Sequence, residues 1–243
     1  MDWLDLKARL LEVGTARLTG SGGEPYLSAS TAGPGAGSDG SIFFSTGSGR
    51  VRLTLDPVSP VEVEHRGGGR AVLRFDGLTI RGVLEPVALH CPRQAYITVT
   101  SGCIYQCRYC EVPAIAAGRK TPEQIDEMVA SVAPRIDAIS ITSGVLAGVE
   151  EEEEYVGAII RRLLPLGIPI GVSIFPGEGT AERLYDLGVA EVKFNIETAT
   201  RDLFASMCPG LDWDMVWQAL RRSVDLFGRG HVFSNLIIGL GER

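Results

Sequence analysis

Residues 96–110 read Tyr96-Ile-Thr-Val-Thr-Ser-Gly-Cys103-Ile-Tyr-Gln-Cys107-Arg-Tyr-Cys110, and they constrain the fold and chemistry of this chain more than any other segment. The first of these residues are β-branched or aromatic, which predicts a strand that ends near Thr100. The three cysteines follow at once, so we expect them on the loop that leaves this strand. Spacings of four and three residues allow one short loop to surround a metal cluster with three thiolates.

Three thiolates so close together favour an iron–sulfur cluster. Protein cysteines usually ligate all four irons of a [4Fe–4S] cluster, whereas Cys103, Cys107 and Cys110 have no obvious fourth partner, which leaves one iron open to a small molecule. A structural zinc site normally needs a second pair of ligands at a distance, and the sequence contains neither a second Cys-x2-Cys pair nor a His-x3-His pair. Three ordinary buried cysteines are the remaining alternative.

Composition limits the classes of protein to consider. The chain has 243 residues, enough for one large domain or two modest ones. Its net charge of −7 argues against a nucleic-acid partner, which calls for a basic surface. No apolar window approaches the roughly 18 residues of a membrane span, and the acidic N-terminus is unlike a signal peptide. Five cysteines, three of them clustered, suit a reducing cytoplasm better than a disulfide framework.

Residues 1–90 are expected to form a small β-rich N-terminal subdomain. An amphipathic helix over residues 2–13 comes first, because its leucines recur at helical spacing and Gly14 follows. The Gly- and Ser-rich segment 20–50 predicts a loop, interpreted either as a flexible linker or as a loop that packs over a ligand. From residue 41 to 84, short apolar runs between Gly- and Pro-bearing turns predict antiparallel strands.

Residues 91–243 follow a different pattern, in which strand-like runs alternate with helical stretches. The strands are expected at 97–100, 138–142, 168–174, 191–196 and 232–238, and the helices at 121–134, 150–165, 179–187, 200–208 and 212–227. This alternation predicts an α/β domain with a parallel sheet and right-handed crossovers. It contains five βα starts, and the sequence stops straight after the fifth strand.

The Cys-x3-Cys-x2-Cys spacing, with an aromatic residue before the third cysteine at the end of a first strand, resembles the radical S-adenosylmethionine (SAM) superfamily. The resemblance implies a partial (β/α) barrel, of whose six usual units about five are present, so we expect a fragment. It also implies a [4Fe–4S] cluster whose open iron is chelated by the amino and carboxylate groups of SAM. Reductive cleavage of SAM would then yield a 5′-deoxyadenosyl radical that abstracts hydrogen from an unactivated carbon.

Parallel barrels carry their chemistry where the strands end, which makes the second and third strand ends candidates for SAM binding. Thr142-Ser143-Gly144 stands where the superfamily often has a Gly-Gly-Glu-like turn for the SAM amino group. The acidic residue is absent, which leaves backbone carbonyls and the hydroxyl of Thr142 or Ser143; an ordinary turn is the alternative. Ser173 is either a contact to SAM or substrate, or a structural serine.

The fourth and fifth strand ends suggest a nucleoside site. Asn195 and Glu197, two residues apart, share one face of a strand. They resemble the Asn-x-Glu/Asp-Thr of lipoyl synthase and biotin synthase, whose two side chains hold the SAM ribose; capping of the next helix is the alternative. Residues 235–242 resemble the superfamily's Gly-x-Ile-x-Gly-x-x-Glu, so Gly239 would let the backbone approach the adenine and the strand edge at Ile237 would hydrogen-bond it.

Several other residues are interpreted more simply. Tyr109 would lie against the adenine. Cys91 and Cys208 are either buried apolar residues or ligands of an auxiliary cluster, with His90 as a further candidate. The run 150–154 is expected to be a solvated acidic helix start, and Trp213 and Trp217 to pack their helix against the barrel.

The barrel resembles most the biotin-synthase-related branch, which includes two-subunit lipoyl synthases. The lead hypothesis is an oxygen-sensitive cytoplasmic enzyme that takes electrons from a low-potential donor and acts on a small-molecule or lipoyl-type carrier substrate. Sulfur insertion is one possible outcome of its reaction, and a second radical SAM subunit is a candidate partner. Radical methylation or carbon-skeleton rearrangement in cofactor biosynthesis is the second hypothesis. A non-catalytic iron–sulfur or zinc module is the third. Neither a nucleic-acid nor a membrane partner is expected.

Overall fold

The computed structural model describes residues 2–27, 40–47, 49–89, 93–114 and 117–242. The chain divides into two compact units, Met1–His90 and Cys91–Arg243. Residues 28–39 of the predicted glycine-rich loop lie outside the described residues.

Within its described residues, the first unit is a closed six-stranded β-barrel with one α-helix. Its elements are α1 (Trp3–Val13), β1 (Thr15–Thr19), β2 (Ser41–Thr46), β3 (Gly49–Leu55), β4 (Glu62–His65), β5 (Arg70–Phe75) and β6 (Leu78–Leu84). The strands close in the order β1-β3-β2-β6-β5-β4. The apolar side chains of α1, Leu6 and Leu10, join the barrel core, which includes Phe44 and Leu73.

Strand β1 departs from the antiparallel arrangement that the sequence predicted. It pairs in parallel with both β3 and β4, which closes the sheet into a barrel. The strand was missed because Thr15–Thr19 offers only two apolar residues, one of which, Ala16, is fully buried. Residues 41–46, which fall both in the predicted loop 20–50 and at the start of the predicted strand region 41–84, form a strand, since Ile42 and Phe44 are buried in the core.

The second unit has alternating strands and helices, which confirms the α/β class. In chain order these are β7 (Gln94–Thr98), β8 (Thr100–Ser101), β9 (Gly118–Arg119), α2 (Pro122–Val132), β10 (Ala138–Thr142), α3 (Val149–Leu163), β11 (Ile170–Ser173), α4 (Thr180–Asp186), β12 (Glu191–Lys193), α5 (Arg201–Met207), α6 (Trp213–Phe227) and β13 (Val232–Phe233). Strands β8 and β9 form a small antiparallel ribbon, and the other five form one sheet.

The five-stranded sheet is wholly parallel and follows the chain order β7-β10-β11-β12-β13. Its carboxyl ends lie level, because Thr142 is paired with both Thr98 and Ser173. The fifth strand is shorter than the predicted 232–238: it spans Val232–Phe233, and one further bridge joins Glu197 to Leu236. The loops that leave these level strand ends carry the candidate site.

Within the described residues, we find no helix with both the length and the apolar character that crossing a membrane requires.

Candidate functional site

The cysteine loop begins directly after β8. Cys103, Cys107 and Cys110 are free thiols, each partly buried. The Cys110 N–H donates to the Cys107 carbonyl (2.9 Å), which closes a turn, and the Ile104 N–H donates to the Val145 carbonyl (2.8 Å), which ties the loop to the segment after β10. The loop therefore holds all three thiols at the edge where the sheet's strands end.

The thiols share one electrostatic environment. A hydrogen bond with Cys208, then burial, then the neighbouring thiols Cys110 and Cys103, raise the pKa of Cys107 far above its usual value. Burial is also the main cause that raises the pKa of Cys110, and Cys103 adds to it. Bound iron would reverse this preference, because a coordinating thiol is deprotonated outright. The donor set thus fits a metal cluster that supplies the positive charge these thiolates lack.

Among the described residues, no three or more His, Cys, Asp or Glu side chains converge closely enough to hold a single metal ion. A [4Fe–4S] cluster does not need that convergence, because each cysteine binds a different iron.

The end of α5 packs against the cysteine loop. The Arg108 N–H donates to the Met207 carbonyl (2.8 Å). A Cβ at Gly210, whose φ is +87°, would lie 3.4 Å from Tyr105 Cδ1, so the two segments touch. Between these contacts lies Cys208, which is fully buried, with its Sγ 3.6 Å from Tyr109 Oη. Cys208 therefore lies beside the cysteine loop rather than apart from it.

Tyr109, Asn195 and Glu197 form one hydrogen-bonded group. The Glu197 carboxylate accepts hydrogen bonds from Asn195 and Tyr109, but burial outweighs them and raises the pKa of Glu197. Asn195 Oδ1 accepts a hydrogen bond from the backbone N–H of Asn235 (3.2 Å). The structure thus brings together the predicted ribose pair, the predicted adenine contact and the cysteine loop.

The backbone of Glu197 lies in the left-handed region, with φ of 57°. This conformation is uncommon for a residue other than glycine and costs of order 1–3 kcal/mol. Two backbone hydrogen bonds hold it: the Glu197 N–H donates to the Asn235 carbonyl (3.0 Å), and the Ile237 N–H donates to the Glu197 carbonyl (2.8 Å). The strained turn directs the carboxylate towards Tyr109.

The backbone donors of Ile237 and Gly239 are already engaged within the chain. The Ile237 N–H bonds to the Glu197 carbonyl, and the Gly239 N–H donates to the Glu242 carboxylate. Gly239 is exposed, and a Cβ there would meet nothing within 4 Å. Of the backbone groups of Ile237 and Gly239, the carbonyl groups are the ones left to approach an adenine.

The turn after β10 packs against the start of the cysteine loop. The Gly144 N–H donates to the Thr100 carbonyl (3.1 Å), and a Cβ at Gly144 would lie only 2.1 Å from the Gly102 carbonyl oxygen. The Ser143 hydroxyl accepts from the Thr100 N–H (3.1 Å) and donates to Glu152 Oε1 (2.6 Å). The backbone carbonyl of Ser173, which is level with Thr142, accepts from the Ser143 N–H at 3.4 Å.

The expectation of a solvated acidic helix start was wrong for Glu152 and Glu153, which are both buried. Glu152 accepts hydrogen bonds from Thr100 Oγ1 and Arg119 Nη2, both at 2.6 Å, as well as from Ser143. Glu153 accepts from Thr180 Oγ1 (2.5 Å) and from Arg183. Helical spacing contains the missed signal, because these two residues lie on the same face as the buried Val156, Ile159 and Ile160.

Two further expectations concern residues away from this group. Trp213 is half-buried and meets Phe204 edge to face, with ring centroids 5.2 Å apart, and Trp217 lies next to it at 5.8 Å. Both indoles border an open groove of about 960 Å³ between α4 and α6. Cys91 and His90 lie outside the described residues, so their expected part in an auxiliary cluster has no structural counterpart here.

Comparison with known proteins identifies the family. Residues 97–243 match the Radical SAM superfamily, and the chain belongs to that superfamily of enzymes, whose members use a [4Fe–4S] cluster and SAM. No curated protein matches the chain.

Three solved structures are similar to the chain, and each comparison covers 61% of it. A crystal structure of HydG, a maturase of the [FeFe]-hydrogenase, is 19% identical with a TM-score of 0.53 and is covered over 36% of its length. HydG from Carboxydothermus hydrogenoformans is 20% identical, with a TM-score of 0.51 and 37% covered. Methylornithine synthase (PylB) is 20% identical, with a TM-score of 0.53 and 45% covered. The chain spans less than half the length of each, and the likeness is one of fold.

Proposed function

We propose that this chain binds a [4Fe–4S] cluster through Cys103, Cys107 and Cys110 and cleaves SAM reductively to start hydrogen abstraction from a small-molecule or carrier-bound substrate. The observation that supports this most directly is the interaction of Tyr109, in the cysteine loop, with Glu197, which Asn195 also contacts. It links the residues proposed to hold the cluster with those proposed to hold the nucleoside of SAM.

When bound, the cluster supplies the electron for the cleavage of SAM. The side chains then act mainly by positioning. Glu197 accepts hydrogen bonds from the ribose hydroxyls, and Asn195 holds the carboxylate in place. Tyr109 covers the adenine while its hydroxyl bonds to Glu197. Thr142 is a better contact for the SAM amino group than Ser143, because the Ser143 hydroxyl already accepts one hydrogen bond and donates another.

A partial (β/α) barrel is the architecture that this proposal requires. The strand order β7-β10-β11-β12-β13 supports it, because each strand pairs with the next along the chain, as in the winding of a (β/α) barrel. A sixth βα unit next to β13 would continue the same winding.

The reaction outcome has two candidates. Sulfur insertion is supported by the resemblance of Asn195-Ile-Glu197-Thr198 to biotin and lipoyl synthases, but it needs an auxiliary cluster that donates sulfide. Cys208 is buried beside the cysteine loop, with its Sγ 3.6 Å from Tyr109 Oη, which leaves that cluster to other residues, such as Cys91. The position of Cys208 therefore favours the second candidate, radical methylation or rearrangement, which needs no sulfide donor. Either outcome requires a low-potential electron donor.

Counting iron and sulfide on anaerobically reconstituted protein tests the proposal. About four irons per chain are expected, and a variant with Cys103, Cys107 and Cys110 all changed to Ala should hold none. Addition of SAM should change the EPR signal of the reduced parent protein. If the triple variant kept all of its iron, or if SAM left the signal unchanged, the proposal would be wrong. About eight irons in the parent, with about four surviving in the triple variant, would indicate a second cluster and favour sulfur insertion over methylation or rearrangement.

A further inference from the structure

The parallel sheet of the second unit has one apolar face and one polar face. The side chains of the apolar face are almost completely buried, and they include Ile97, Ile141, Val172, Val192 and Phe194. Successive side chains of a strand point to opposite faces, and those two residues apart share a face. Glu191 and Lys193, on either side of Val192 in β12, therefore lie together on the polar face.

The strand register fixes the height of these two residues relative to the candidate SAM contacts. Lys193 is paired with Ser173, which is paired with Thr142, so Lys193 is level with the strand ends. Glu191 is paired with Gly171 and lies one layer further from those ends. A strand rises by about 3.3 Å per residue, which separates the two layers by roughly 7 Å.

Gly171 gives the Glu191 side chain room to cross the sheet. A Cβ at Gly171 would lie 2.7 Å from Glu191 Oε1 and 2.8 Å from Glu191 Cγ, both too close for a real side chain. The Glu191 side chain thus occupies the space that the Cβ of any other residue would need. Its carboxylate lies over the neighbouring strand β11, on the polar face of the sheet.

The two charges are not neutralised by each other. Neither Glu191 nor Lys193 belongs to an ion pair within the described residues, and both side chains are only partly exposed. Lys193 acts at longer range on Glu197, whose pKa is raised by burial and lowered by the lysine charge. Partial removal of a charge from water is unfavourable unless an opposite charge approaches it. The polar face therefore offers one place for a cation and one for an anion.

We propose that Glu191 and Lys193 bind the substrate, and that the substrate is a small zwitterion of the amino-acid type, with its ammonium group against Glu191 and its carboxylate against Lys193. The inference rests on the proposed function, because it puts the substrate next to the SAM that Asn195 and Glu197 are proposed to hold. Two opposite charges fix the orientation of a small molecule, and so select which of its carbon atoms faces the strand ends.

Equilibrium dialysis of the reconstituted protein in the presence of SAM tests the proposal. The probe is an equimolar mixture of the standard amino acids, and mass spectrometry compares each concentration on the protein side with that on the buffer side. We expect the parent protein to enrich at least one amino acid. Glu191→Gln and Lys193→Met should each weaken this binding about tenfold or more, because each removes a charge-assisted hydrogen bond. Glu154→Gln and Arg229→Gln are the matched controls, since both residues are exposed, and they should keep the enrichment.

Gly171→Ala is a second variant, which retains both charges. Its Cβ would take the place of the Glu191 side chain, so the enrichment should again fall. Gly157→Ala is its control, because the Cβ there would meet no atom closer than 3.7 Å. This pair keeps the proposal testable even if Glu191→Gln does not fold.

The EPR response of the reduced protein to SAM separates the failures of the two proposals. A parent protein without a cluster, or without this response, would refute the proposed function. A parent that responds to SAM but enriches no amino acid would refute the substrate class alone. Equal enrichment in the parent and in Glu191→Gln would also overturn the inference, because the amino acid would then bind elsewhere. Loss of the SAM response in Lys193→Met would assign Lys193 to SAM and overturn its role in substrate binding.

Discussion

Glu152 offers the sharpest test of how the cysteine loop is supported. Its carboxylate is 3% exposed and binds Arg119, which is 24% exposed. It also accepts hydrogen bonds from Thr100, just before the loop, and from Ser143, in the turn after β10, both at 2.6 Å. One carboxylate thus joins α3 to two of the segments that end at the candidate site, and Glu152→Gln changes its charge while keeping its size.

The magnitude follows from what Gln can replace. Its carbonyl oxygen can still accept from Thr100 and Ser143, but its amide group would place donors against the Arg119 guanidinium. Removal of one partner of a buried ion pair costs about 3–5 kcal/mol. Arg119 keeps a second carboxylate, Glu151, at 3.2 Å, so we expect a smaller loss of about 2–4 kcal/mol in the free energy of unfolding. Against a typical total of about 5–15 kcal/mol, this is a large effect.

Urea denaturation of the cluster-free protein measures this loss. For an m-value near 2 kcal/mol/M, the midpoint should fall by about 1–2 M. The fluorescence of Trp213 and Trp217 reports on the unit that contains Glu152, and a Trp3→Phe background removes the signal of the other unit. Glu154→Gln is the control, because Glu154 is exposed on the same helix; its effect should stay within about 0.5 kcal/mol. Equal midpoints for the two variants would refute the reasoning, since Glu152 would then behave as a solvated residue.

The other predictions concern the turn after β10 and the proposed ribose site. Gly144→Ala should destabilise the fold and lower iron retention, because the new Cβ would lie 2.1 Å from the Gly102 carbonyl oxygen. Gly47→Ala is the control and should have neither effect, because its Cβ would meet nothing within 4 Å. Equal iron retention in the two variants would contradict the prediction. Burial raises the pKa of the Glu197 carboxyl group above 4.5, so the folded protein binds the carboxyl proton more tightly than the unfolded chain does. The bound proton therefore stabilises the fold at low pH, and this stabilisation is lost as the pH rises from about 4.5 through the raised pKa. Glu197→Gln lacks this loss, and its stability relative to the parent should increase with pH in that window by at most about 1.4 kcal/mol per pH unit; a difference that does not change with pH would rule this out.

Much of the α/β unit could be predicted because its signals are local. The strand at 138–142 and the helix start at Thr121-Pro122 depend on neighbouring side chains, and the helix begins with the capping box between Thr121 and Gln124 that such a start favours. The partial agreement at the fifth strand has the same origin: residues 232–238 are apolar enough for a strand, but their partner strand β12 ends at Lys193, so regular pairing stops at Phe233.

Features that depend on distant partners were missed. Strand β1 shows little apolar alternation and exists because β3 and β4 flank it on either side. The run 150–154 has the composition of a solvated segment, yet Arg119 and Arg183 come from other elements to neutralise two of its carboxylates. The sequence of residues 150–154 alone does not predict that those two arginines pair with its carboxylates.

By itself, the sequence determined the α/β class of the second unit and the clustering of its three cysteines in one loop, because both depend on patterns of neighbouring residues. Only the tertiary structure decided that Tyr109, Asn195 and Glu197 lie together and that Cys208 is buried beside Tyr109 of the cysteine loop. The physical reason is that the level strand ends of a parallel sheet bring remote loops together. At that edge, burial and hydrogen bonding select which polar side chains meet. Burial and hydrogen bonding both depend on contacts between residues far apart in the chain, which no local sequence pattern encodes.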